Sequence, residues 1–428
     1  MKSIANTNQD VIDPSKNKES EAKKPLKFNP FDPEFRANPY PTYHQLRSQS
    51  PIHKTSSFTG NEWLLTRFAD VKAVLSDSRF GVDDLPERLN QKSLYLKQQT
   101  EFQALSLTIS KWLFFLNPPD HTRLRGLVGK SFSPGNLEGM RPQVQKTVDK
   151  LLDKVQETGT MDIISDLACP LPAIVTSSIL GMSTEGISQL TQWAHDLFRV
   201  FDQPMSLENY QYLNRIALEF REYFSSLIAE REKNPQEDLI CNMIAVQKQS
   251  GDLNYDELIA FCAMLFSVGQ DTTENLLGNS FLALLNHPEQ LQKLKQEPTM
   301  IANAVEELLR YDSPVQLLAR VAMEDVEIDG NLIRAGERVH ISLGAANRDP
   351  SQFPNPDALD FSRQKHGMPF GAGMHYCLGS TLARIQGQVA INTVVQRLSN
   401  LKLNTDRLEW RKNIVLRGMK SLPVTFTL

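Results

Sequence analysis

Phe370–Gly379 reads F-G-A-G-M-H-Y-C-L-G, and this stretch decides more about the fold than any other part of the chain. One cysteine, Cys377, stands in a loop punctuated by Gly371, Gly373 and Gly379, ahead of a helical pattern that begins near Leu378 (L-G-S-T-L-A-R-I-Q-G-Q-V-A-I-N-T-V-V-Q-R-L). Glycine lets backbone approach a ligand closely. Helix-start N–H groups stabilise an anion, so a thiolate at Cys377 would be held ionised, as a metal ligand must be. An inert buried thiol is the ordinary reading of a lone cysteine, but three spaced glycines with Phe370 and His375 reverse it. Zinc would want further Cys or His ligands, and none clusters nearby in the sequence. A single strong protein ligand suits a metal carried by a cofactor such as haem.

Working outward, the Pro- and Gly-rich run Arg348–Gly379 is a long loop, and loops of that length inside a compact domain are usually functional. Before it, R-V-A-M-E-D-V-E-I-D-G-N-L-I-R-A-G-E-R-V-H-I-S-L alternates around Asp329-Gly330, a hairpin signal between strand-like runs. Further back, Asn254 to Asn286 is a long helical pattern with an N-cap at Asn254, followed by a helix opened by Pro288. Arg123 to Glu232 is mostly helical in spacing, broken at Ser133-Pro134-Gly135 and around Pro170–Pro172. Strands appear early, around P-I-H-K and W-L-L-T-R-F, and return after residue 318. No repeat or linker divides the chain, so we expect one large, mainly α domain with small β-sheets (α+β) over 26–428, behind a disordered polar tail over 1–25.

Composition limits the function. The chain has 428 residues, 40% hydrophobic and 22% charged, with 46 Lys and Arg against 50 Asp and Glu. A net charge of -4 offers no basic excess for nucleic acid or an anionic membrane. Four cysteines without a C-x-x-C pair suggest no disulfide framework and a reducing, cytoplasmic setting. The N-terminus has no apolar h-region, and the longest apolar run, Leu258–Val268, is short of the roughly 20 residues a bilayer requires.

Other side chains are ambiguous by themselves. Glu307 and Arg310, in A-V-E-E-L-L-R-Y, lie one helical turn apart and would pass for a surface ion pair. Asp271 and Thr272, in S-V-G-Q-D-T-T-E-N, interrupt an apolar helix, and hydroxyls there can bond back to carbonyls and open the helical ladder. His121 and Arg125 fall at i and i+4 on a helix opened by Pro118-Pro119, and Arg320 stands in L-L-A-R-V.

Together these segments resemble the cytochrome P450 monooxygenases. Phe370–Gly379 matches the family's haem loop F-x-x-G-x-x-x-C-x-G position for position, and the likeness runs from about residue 28 to the C-terminus, through N-P-F-D-P-E-F, A-A-N-R-D-P and R-G-M-K-S-L-P-V. The resemblance implies the family's fold, with haem b (iron protoporphyrin IX) between the long central helix and the Cys-loop helix. It implies Cys377 as axial thiolate, Phe370, Gly371 and Gly379 shaping the loop, and His121, Arg125, Arg320 and His375 on the haem propionates. It implies a lock in which Arg363 joins Glu307 and Arg310. Asp271-Thr272 matches the family's acid-alcohol pair, with Thr272 positioning a water and Asp271 linking to solvent to deliver protons. Val268 departs from the usual Ala or Gly, which points to a tighter distal pocket.

The expected activity is insertion of one oxygen atom from dioxygen into an apolar small molecule, such as a polyketide, lipopeptide or terpenoid, free or carrier-bound. Without a fused reductase, two electrons would come from a ferredoxin or flavodoxin with its NAD(P)H-dependent reductase. That carrier would meet Lys365, Arg123 and Arg384 around the Cys377 loop of a monomer. Pocket positions are expected in Leu94–Phe115, including Trp112, Phe114 and Phe115, and in Leu171–Met205, with Met264, Ser267, Val268, Leu317, Leu318 and Met419. The rival readings are a peroxide-driven peroxygenase, in which an arginine and a proline replace the acid-alcohol pair, and a non-catalytic haem sensor.

Overall fold

The fold is that of a computed structural model, which describes residues 26–428 apart from 27, 59, 61, 83, 96–101, 130 and 202–204. The expected tail over 1–25 lies outside the described residues. Its organising element is the helix Tyr255–Asn286. The Asn254 side chain accepts from Glu257 N and the Glu257 carboxylate accepts from Asn254 N, a capping box that satisfies two otherwise unpaired donors. Beyond the cap the helix is apolar on most faces, and such a helix is stable only when surrounded.

Two hydrophobic clusters surround it. Leu258 to Phe266 pack with helices Leu207–Lys233 and Leu239–Ser250, while Leu276 to Leu284 pack with Arg141–Asp153 and Ser380–Arg397. Each fully buried Leu or Phe in these clusters contributes about 1.5–3 kcal/mol of transfer free energy. Between the halves, Gly269 lets the helix Pro170–Leu180 come close, because a Cβ there would sit 2.9 Å from Thr176 Oγ1. By length and composition the stretch Ile163–Leu180 is apolar enough to cross a membrane, but 61% of it is buried inside this fold.

Strands form the remaining layers. β1 (Ile52–Thr55), β2 (Glu62–Leu65), β3 (Phe80–Val82), β5 (Leu317–Ala322) and β8 (Arg338–Ser342) build a five-stranded sheet in the order β1-β2-β8-β5-β3, with only β2 and β8 parallel. β4 (Thr160–Asp162), β9 (Ser399–Leu403) and β10 (Pro423–Thr427) make a second sheet. Asp329 (φ 50°) and Gly330 (φ 73°) turn a separate small hairpin between β6 (Val326–Ile328) and β7 (Asn331–Ile333). The longer runs on either side pair with each other as β5 and β8. The mainly helical architecture with small sheets is the expected one.

Candidate active site and cofactor cleft

The Cys377 loop leaves the long Arg348–Gly379 connection through one 3₁₀ turn, Gly373–His375, and enters the helix Ser380–Arg397 two residues later than expected. Gly371 (φ 72°) and Gly373 (φ 69°) are left-handed. Gly373 is also pressed against backbone, since a Cβ there would run into the Leu75 carbonyl. Cys377 N donates to Phe370 O at 3.1 Å, closing the loop. The expectation that the helix start alone ionises Cys377 is not met. Burial pushes the thiol up and outweighs the Gly379 N–H, Arg125 and Arg384, which pull it down. The sulfur becomes a thiolate only when a cation such as a metal ion faces it.

Four basic side chains gather on one side of the cavity above this sulfur. The His121 and His375 rings lie against each other, centroids 4.0 Å apart and planes inclined by 47°, and Arg125 Nη2 donates to Tyr376 O at 2.7 Å. Burial and then Arg320 are the largest influences that hold His375 down to about 3; burial, Arg125 and Arg320 lower His121 as well. His121 is 1% exposed, and neither of its ring nitrogens has a hydrogen-bond partner among the described residues. Orphaned buried nitrogens among mutually unfavourable cations call for an anion. Haem, with two carboxylates on one edge and a metal to face the sulfur, fits this donor set.

Glu307, Arg310 and Arg363 meet beneath the loop. Far from lying on the surface, Arg310 is 0% and Glu307 3% exposed. Arg310 Nε and Nη2 fork onto the Glu307 carboxylate at 2.7 and 2.8 Å. The remaining donors reach Asn347 O, Pro356 O and Ala358 O at 3.0, 2.8 and 3.1 Å. Glu307 also accepts from Asp360 N at 3.0 Å and from Arg363 Nε at 3.3 Å. These bonds tie the long connection to the helix Ile301–Tyr311.

The cavity over Cys377 measures about 290 Å³, and the central helix presents Met264, Val268 and Thr272 to it. A second cavity of about 250 Å³ shares Val268, Thr272 and Leu318 and adds Leu317, Phe115, Phe198 and Phe201. Trp112 is fully buried behind Phe114, which lines both. Two expected pocket residues lie elsewhere. Ser267 is one position round the helix from Val268 and turns into the core at 0% exposure, and Met419 is buried against Gly278. Parts of the expected segments Leu94–Phe115 and Leu171–Met205 lie outside the described residues.

The helix runs unbroken through Asp271-Thr272, so the expected opening of its ladder does not occur. The bond back to a carbonyl is present, Thr272 Oγ1 donating to Val268 O at 2.9 Å. Asp271 does not line either cavity. It is buried beneath His195 and Arg411, through which any link to solvent has to run, and these two neighbours were invisible to the sequence reading. Ile414, Val415 and Leu416, which line the second cavity, were also missed, because no pattern in N-I-V-L marks them. The cations expected to greet an electron carrier are engaged within the chain: Arg123 with Glu257 and Asp120, Arg384 with Glu306, Lys365 with Gln352.

Comparison with known proteins agrees with this geometry. The family model described as Cytochrome P450 matches residues 81–422. The chain is 42% identical to the biotin biosynthesis cytochrome P450 of Bacillus subtilis (strain 168), covering 92% of this chain and 97% of that one. It is 37% identical to the polyketide biosynthesis cytochrome P450 PksS of the same organism, covering 94% and 99%. Among solved structures, P450BioI in complex with hexadec-9Z-enoic acid ligated acyl carrier protein superposes with a TM-score of 0.86 at 41% identity, covering 92% of this chain and 99% of that one.

Proposed function

The chain belongs to the cytochrome P450 family of enzymes, and from that premise we propose that it holds haem b over Cys377 and oxygenates a long acyl chain delivered as the thioester of a carrier protein. When bound, haem supplies reductive activation of dioxygen. The chain's own residues supply ligation, position, dryness and protons. Cys377 Sγ would hold the iron, and because burial keeps the free thiol protonated, the metal's charge would be what ionises it. Arg125, Arg320, His121 and His375 would hold the haem carboxylates. Thr272, rotated off Val268 O, turns a hydroxyl into the cavity to orient water.

The observation that carries this reading is that Cys377, the basic quartet and Thr272 all border one cavity. The acyl substrate is supported by the second cavity, whose walls are mostly aromatic and aliphatic, and by the relative bound to an acyl carrier protein. A fatty acyl and a polyketide chain share the same carrier chemistry, which narrows the range set by the sequence. Electrons come from a separate ferredoxin or flavodoxin with its reductase. The acid and hydroxyl at Asp271-Thr272 disfavour the peroxide-driven alternative.

Optical titration of the haem protein with free hexadecanoic acid, hexadecanoyl carrier protein and a terpenoid or macrolide set tests the substrate class. We expect the carrier-linked chain to bind at least about tenfold more tightly than the free acid, roughly 1.4 kcal/mol. Tighter binding of a compact ring system would contradict the acyl assignment.

A further inference from the structure

Behind Asp271, on the side away from the cavity, ionisable groups from four segments meet. His195 Nε2, on the helix Ile187–Leu197, lies 3.1 Å from Asp271 Oδ1 and 3.0 Å from Glu274 Oε2. Arg411, from the C-terminal segment, pairs with Glu274 and stands 3.8 Å from Asp271 Oδ1. Cys169 Sγ lies within 4.8 Å of the His195 and Glu274 donor atoms, and Asp196 adds a further negative charge to the field on Asp271. One imidazole N–H cannot point squarely at two carboxylates. Nε2 and Asp271 Oδ1 are accordingly both buried without a well-directed hydrogen bond among the described residues, although the Asp271 side chain is only 6% exposed.

Charge counting explains which group carries the proton. With His195 protonated, two cations balance Asp271 and Glu274; without it, one buried negative charge is left over, which is costly. Burial favours neutral imidazole, but Glu274 and Asp271 outweigh it and raise the pKa of His195. Burial also pushes Asp271 up to about 6, helped by Glu274 and opposed by His195 and Arg411. Glu274 goes the other way: His195 and Arg411 overcome its burial and keep it ionised. His195 is also more open than the two carboxylates it faces, at 17% side-chain exposure against 6% and 0%, and Arg411, at 25%, holds its proton throughout and so cannot relay one.

We infer that His195 is the proton-holding partner of Asp271, taking a proton from solvent and passing it to the acid that stands next to Thr272. The inference rests on the oxygenase reading above. In each transfer an Nε2–H bond breaks and an O–H bond forms on Asp271, and the neutral imidazole then regains its proton from water. No electrons move at the cluster. The same groups make a poor metal site, because Arg411 already occupies Glu274 and burial holds the Cys169 thiol protonated, pushed up to about 12. His195 does not touch the cavity, so it is a positioning residue that acts through Asp271.

The test uses the holoenzyme. In the reduced, carbon-monoxide-bound form, nitrogen-15 histidine NMR should show one imidazole, absent in His195→Gln, that titrates above the ordinary value of about 6.5. In Glu274→Gln that midpoint should fall by about one unit, tenfold in proton affinity. With surrogate ferredoxin and reductase and hexadecanoic acid as probe, product formation by the native enzyme should decline as pH rises through that midpoint. His195→Gln should be at least about tenfold slower and insensitive to pH over that range, within what general acid catalysis contributes. A His195 midpoint below the ordinary value, or a His195→Gln enzyme with native rate and pH profile, would overturn the inference. If His195→Gln does not accumulate as holoprotein, the native and Glu274→Gln titrations decide alone. Native protein lacking a thiolate carbonyl band would overturn the oxygenase reading and the relay with it, whereas a normal band with unaltered His195→Gln overturns only the relay.

Discussion

Two buried charge clusters flank the cofactor cleft, and they are built on opposite plans. Under the Cys377 loop, Arg310 has five N–H donors, and each has an acceptor: the Glu307 carboxylate twice, then Asn347 O, Pro356 O and Ala358 O. Behind the central helix, one His195 nitrogen stands between two carboxylates and satisfies neither squarely. A saturated array has one low-energy arrangement and fixes the loop that carries Cys377. An under-satisfied array has nearby alternatives for its proton, and that is what a relay needs. Burial alone does not tell structural charge from working charge; the count of donors against acceptors does.

The largest expected effect comes from breaking the saturated cluster. Arg310→Ala should cost about 3–5 kcal/mol, because Glu307 stays buried with only Arg363 Nε and Asp360 N still on it and three carbonyls lose their donors, and recovered haem protein and its thermal midpoint would report it. Arg310→Lys should fall between, since an ammonium cannot reproduce the fork. A loss under about 1 kcal/mol, the scale of an exposed pair, would break the comparison. Thr272→Ala should leave stability within about 1 kcal/mol, since it removes only a bond back to its own helix. Its effect should appear in coupling, with product per NADPH falling roughly tenfold, about 1.4 kcal/mol in barrier; unchanged coupling would remove Thr272 from oxygen activation. Smallest is Phe198→Ala, which takes one ring from the tilted pair with Phe201 (centroids 5.5 Å) on the second cavity's wall. Affinity for hexadecanoyl carrier protein should weaken about five- to tenfold, near 1 kcal/mol, and titration would show whether that wall contacts substrate.

What could be read in the sequence was whatever is local. The Cys377 loop packs its glycines, aromatic residue and cysteine into one contiguous segment, and the Asn254 cap and the Asp329-Gly330 turn are set by neighbouring residues. The Glu307–Arg310 pair was visible as one helical turn, but its burial was not, because the acceptors that saturate Arg310 arrive from the Arg348–Gly379 connection. His195 and Arg411 had no local signal at all: they reach Asp271 from separate segments, and only folding brings them there. Ser267 and Met419 were misplaced because a resemblance assigns a position along the chain and does not fix which way its side chain turns. The ionisation of Cys377 was misjudged for a related reason, since a helix start favours an anion only when burial does not cost more.

The account stands on Cys377 as the thiolate ligand of a bound haem, and the absorption spectrum of the dithionite-reduced protein with carbon monoxide tests it most directly. Native protein should give a carbonyl band far to the red of that of a histidine-ligated haem, and Cys377→Ser should lose it. A histidine-like band in the native protein, or an undisturbed thiolate band in Cys377→Ser, would contradict the account.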